Sequence, residues 1–87
     1  MSDSTSHKAL LARTIRQLRR DRELSQEALA SAAGIHPKHL SEIERANKDP
    51  RATTVARLAQ ALGMSTAELY AQAFGRPPEV ADAPPEP

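Results

Sequence analysis

Short amphipathic segments, each ended by a turn signal, limit what this chain can build. From Ala9 to Phe74 the apolar residues recur at helical spacing, and no segment outruns about four turns before it is broken. The breaks are the capping Ser25 just after Leu24, Gly34 with Pro37, the stretch ANKDPRA from Ala46 to Ala52, and Gly63. Five modest helices follow from this punctuation, so an all-α domain is the expected fold class. One Tyr, one Phe and no Trp make a β-sandwich or an aromatic cofactor pocket hard to assemble.

Local chemistry places the ends of these helices. The first spans about Ala9 to Asp21, with Leu11, Ile15 and Leu18 on one stripe. Ser25 suits the cap of a second helix running to about Ala33, and Leu24 with Leu29 can close over it as a hydrophobic staple. Gly34 takes the turn, where a positive φ costs glycine nothing. Pro37 fits the first position of the third helix, because the missing N–H would be unpaired there anyway. That helix reaches about Arg45. The fourth carries Val55, Leu58, Ala59 and Leu62 and stops at Gly63; Asp49 with Pro50, or Thr53, can each serve as its cap. Ser65 and Glu68 form a capping box for the fifth, which has Met64 and Leu69 as its staple and ends near Phe74.

The flanks read differently. Residues 1–7 are polar and expected to be flexible. From Gly75 the chain reads GRPPEVADAPPEP, with five of its seven prolines, which cannot continue a helix or bury a core. The expected organisation is one folded domain at 8–75 and a disordered, acidic, Pro-rich tail at 76–87. Charge divides along the same line. Lys8 to Gly75 holds eleven basic and seven acidic residues, a net +4, whereas the last twelve residues carry a net −2. A moderately basic core permits a nucleic-acid partner without requiring one. The absence of cysteine excludes disulfides, thiolate metal sites and thiol catalysis. With no signal-type or membrane-spanning run, a soluble cytoplasmic protein is expected.

The third helix has two unlike sides. At about 100° per residue, Leu40, Ile43 and Glu44 fall together with His36 near them. Lys38, Ser41, Glu42 and Arg45 fall opposite, flanked by Pro37 and His39. A narrow apolar stripe backed by a cation, a hydroxyl, a carboxylate and a guanidinium suits a helix that enters the DNA major groove. By itself it also suits a solvated surface helix. The capped helix before it and the glycine turn between them complete a helix-turn-helix unit.

The segment LSQEALASAAGIHPKHLSEIER, with IRQLR before it and RLAQALGMSTAEL after it, resembles the Cro and phage-repressor (XRE) family of transcriptional regulators. The resemblance covers about Leu11 to Phe74 and implies a five-helix domain binding double-stranded DNA as a homodimer. It implies that Gln26 meets a phosphate and that Glu44, turned inward, pairs with Arg19; Arg22 is a substitute partner for that acid. Pro37, Lys38, Ser41 and Glu42 become the candidates for base contact, with Lys38 also able to meet phosphate alone. His39, Asn47, Lys48 and Arg51 become phosphate contacts. Tyr70 and Phe74 are the expected dimer surface, since aromatics are enriched at interfaces; packing of both rings on their own domain is the alternative. Glu23 and Ala46 stand where the family commonly has glycine, and either carries strain if its φ is positive.

Other chemistry fares worse. His36, His39 and Glu42 invite a metal reading, but about 120° of helix separates His36 from Glu42, and no metal or other cofactor is expected. There is no glycine-rich phosphate loop and too little chain for an enclosed catalytic pocket, so no enzyme is expected. The functional expectation is a small repressor or activator acting at an inverted repeat, with Glu27 available to RNA polymerase; its size also resembles restriction–modification controllers. An antitoxin that also clamps a toxin, or a protein-interaction module without DNA binding, are the rival readings.

Overall fold

The computed structural model describes residues 6–75. Five helices follow in order: α1 His7–Asp21, α2 Gln26–Ala33, α3 Pro37–Glu44, α4 Ala52–Ala61 and α5 Thr66–Phe74. No strand occurs among the described residues. The expected flexible start lies outside them up to residue 5, as does the whole expected tail at 76–87.

Two boundaries depart from expectation. Helix α1 begins at His7, two residues earlier than its apolar stripe implies, because the Ser6 hydroxyl accepts from the Ala9 N–H at 3.2 Å. Neither Asp49 nor Thr53 caps α4. Its N-cap is Arg51, in extended conformation and without a side-chain cap bond. Here packing overrides local chemistry: the first helical bond, Val55 N–H to the Arg51 carbonyl, sets a register in which Val55, Leu58 and Ala59 are buried. The expected capping box at Ser65 and Glu68 is complete, with bonds of 3.0 and 2.8 Å.

Leu11, Ile15, Leu18, Leu29, Leu40, Ile43, Val55, Leu58, Leu62 and Leu69 form one buried cluster. Around it α1 packs on α3 and α5, α2 on α3 and α4, and α4 on α5. Both staple residues, Leu24 and Met64, lie half-buried against this cluster.

Helices α1 to α4 all end alike. One residue turns left-handed, and the next N–H reaches back into the last turn: Leu24 to the Arg19 carbonyl, Ile35 to Ala30, Asn47 to Glu42, Met64 to Ala59. Gly34 and Gly63 take that conformation without strain. Glu23 (φ 57°) and Ala46 (φ 62°) do not, since a Cβ in this region crowds the following carbonyl by about 1–2 kcal/mol. Ala46→Gly is therefore expected to stabilise the fold. After the added freedom of the unfolded chain is subtracted, the gain is roughly 0.5 kcal/mol, or about 2–4 °C in melting temperature. Calorimetry checks this; a lowered midpoint would show that the site tolerates its side chain without strain.

Candidate nucleic-acid interface

Helix α2 starts at Ser25, whose hydroxyl accepts from the Ala28 N–H at 2.9 Å. It stops at Gly34, φ 73°. A Cβ added there would meet the Arg57 guanidinium at 3.6 Å, an ordinary contact, so conformation rather than space calls for glycine. His36 then caps α3: its Nδ1 accepts from the Lys38 N–H at 3.0 Å. The ring is exposed rather than turned toward Leu40, because the cap backbone is extended (φ −71°, ψ 140°) and lies off the helical wheel. That bond also occupies one of the nitrogens a metal would use. Among the described residues no group of three His, Cys, Asp or Glu side chains gathers at metal-binding distance.

The inner side of α3 is tightly held. Leu40 and Ile43 are buried, and Glu44 is only 2% exposed. Its carboxylate meets Arg19 in a two-pronged pair: Nε–H to Oε2 at 2.7 Å and Nη2–H to Oε1 at 3.0 Å. The same guanidinium donates from Nη1 to the Leu24 carbonyl at 2.8 Å, bracing the joint between α1 and α2. Arg16 donates to the Glu44 carbonyl at 3.2 Å, so α1 grips the last turn of α3 twice. Arg22, the substitute partner, goes elsewhere. Its Nε–H meets the Leu62 carbonyl at 2.8 Å and its Nη1 the Leu18 carbonyl at 3.2 Å, so the guanidinium ties α1 to the end of α4 instead.

Gln26, the first residue of α2, lies half-buried on the seam with α3. Its Nε2–H donates to Glu44 Oε1 at 2.9 Å. This contact has no signature in the sequence, where the two residues stand eighteen apart. Arg16 was also missed as a neighbour of α3, though its spacing of three from Arg19 puts both on adjoining parts of one helix face.

On the outer side, Pro37 and Lys38 are exposed, while Ser41, Glu42 and His39 are half-buried. Asn47 and Lys48, in the loop that follows, are exposed, and so is Arg51 at the cap of α4. The loop follows directly on the exposed Arg45 at the end of α3. Tyr70 and Phe74 stand apart on α5, half-buried against the core with ring centroids 5.6 Å apart and nearly parallel. His7 adds an edge contact to Phe74 at 4.8 Å, a partner hidden from the sequence because α1 begins earlier than its stripe suggests. With Leu11, Asp49 and Pro50 these rings line a shallow groove of about 340 Å³.

Residues 10–82 match a family model described as a helix-turn-helix domain. The chain is 38% identical over 60 residues to the HTH-type transcriptional regulator y4dJ of Sinorhizobium fredii, spanning 69% of this chain and 78% of that protein. It is 36% identical over 62 residues to the control protein C.SmaI of Serratia marcescens, spanning 71% and 74%. Its fold is similar to the crystal structure of the restriction-modification controller protein C.AhdI from Aeromonas hydrophila. There the TM-score is 0.69 at 29% identity, covering 71% of this chain and 94% of that one.

Proposed function

The chain belongs to the helix-turn-helix family of DNA-binding transcriptional regulators of the Cro and phage-repressor type, and from that premise we propose that it binds an inverted-repeat operator as a homodimer. The observation that carries the reading is the division of α3. Leu40, Ile43 and Glu44 are buried, while Lys38 and Pro37 at its opening turn are exposed. A helix anchored on one side and polar on the other can enter the major groove without losing its own packing.

In this reading Lys38 donates to guanine acceptors, Ser41 pairs with either kind of base edge, Glu42 accepts from a cytosine amine, and Pro37 touches a thymine methyl. Gln26, His39, Asn47, Lys48 and Arg51 meet the phosphates and set register. Tyr70 and Phe74 meet their copies across a twofold axis, spacing two α3 helices about 34 Å apart. The binding unit is the domain at 8–75, and the activity is regulatory rather than catalytic. Likeness to two control proteins favours a role in governing a restriction–modification operon. RNA polymerase is then the target of occlusion or contact.

Selection of bound sequences from random duplex DNA at low and moderate salt tests this directly. A palindromic motif whose affinity falls steeply with salt is expected. Lys38→Ala should weaken binding to that motif roughly ten- to a hundredfold and relax preference at one position of each half-site. Lack of any enrichment at low salt would overturn the proposal.

A further inference from the structure

We propose that Glu44 is a positioning residue for DNA contact: it fixes the side-chain amide of Gln26 so that the second N–H is held outward for a phosphate oxygen. This rests on the operator-binding reading and adds to it the means by which a buried acid reaches the interface. A carboxylate only accepts, so the Gln26 group facing it must be the NH₂ and not the carbonyl. A flipped amide would set oxygen against oxygen beside Glu44 Oε1, where Nε2 now sits at 2.9 Å. One N–H is thereby committed, and the amide plane with it. The other N–H is directed away from Glu44, on a residue that is half-exposed at the positive end of α2.

The charge of Glu44 does not spoil the approach of a phosphate. Arg19 neutralises it through two bonds of 2.7 and 3.0 Å, and the carboxylate is 2% exposed. Because the same arginine also holds the Leu24 carbonyl just before α2, one carboxylate sets α1, α2 and the Gln26 amide against α3. Affinity for the operator backbone and the integrity of the buried pair are then linked through a single side chain.

The test is a double-mutant cycle on the full chain, using the duplex recovered by selection. Gln26→Ala is expected to weaken binding about five- to tenfold in the native background but less than about twofold beside Glu44→Gln, since a neutral amide at 44 no longer dictates which end of Gln26 faces it. The salt dependence should stay the same in all four proteins, because neither substitution removes a cation that neutralises a phosphate. A changed slope would show that the cycle disturbs the charged contacts and not the Gln26 amide alone. Equal costs of Gln26→Ala in both backgrounds would overturn the inference. If Glu44→Gln does not fold, the native chain decides by NMR. One Gln26 side-chain proton should be protected from exchange in the free protein, and the other should shift when the operator is added. Two freely exchanging protons, or no shift with operator bound, would refute it. Failure to select any operator removes the DNA reading as well, whereas a selected operator with additive costs removes this inference alone.

Discussion

Glu44→Ala is expected to unfold this domain at a temperature lower by roughly 15–30 °C, a loss of about 3–5 kcal/mol. The size comes less from the bonds removed than from what is left behind. Arg19 has a side chain only 12% exposed and would keep its charge with neither carboxylate oxygen beside it. Gln26 would lose its acceptor at the same moment. Against a total stability of about 5–15 kcal/mol for a domain of ordinary size, such a loss leaves little margin. Thermal unfolding followed by circular dichroism measures it. An unchanged midpoint would mean that the ion pair is dispensable and that Arg19 finds water or another acceptor.

Leu40→Ala should cost about 2–5 kcal/mol, and it acts on the same helix by a different route. Leu40 is fully buried at the middle of α3. A helix of eight residues cannot hold itself in water, since isolated helices shorter than about 12 residues are marginal. Without that side chain α3 keeps Ile43 and the Glu44 pair near its end, but its opening turns lose their grip on the core. Urea unfolding should show the drop in midpoint. Operator affinity, measured well below that midpoint, should fall although Leu40 faces away from the outer surface. Leu40→Met, close in volume, is expected to cost less than about 1.5 kcal/mol.

Where local chemistry decides, the structure could be read from the chain. Ser25, Gly34, Pro37, Gly63 and the Ser65–Glu68 box each act within a few residues, and all stand at the ends they signal. The inward turn of Glu44 was legible too, since helical period alone puts it beside Leu40 and Ile43. The start of α4 was not, because no side chain caps it and the burial of Val55 and Leu58 sets its register. His36 misled the wheel, which treats as helical a residue whose backbone is extended. The bond from Gln26 to Glu44 was beyond reach for a further reason. It joins two helices across a turn, and either residue alone looks like ordinary polarity. Tyr70 and Phe74 were legible as a pair at helical spacing, but the edge contact of His7 on Phe74 was not.

The division of labour on α3 has a consequence for how such a regulator can diversify. Residues that secure the helix and residues that face outward occupy separate sides of the same eight-residue rod. Under the proposed operator reading, exchanges at the exposed positions 37 and 38 would change the target while Leu40, Ile43 and the Arg19–Glu44 pair stay in place. The penalty in folding is therefore expected to be small. A lineage built on this arrangement can drift in address while remaining one molecule.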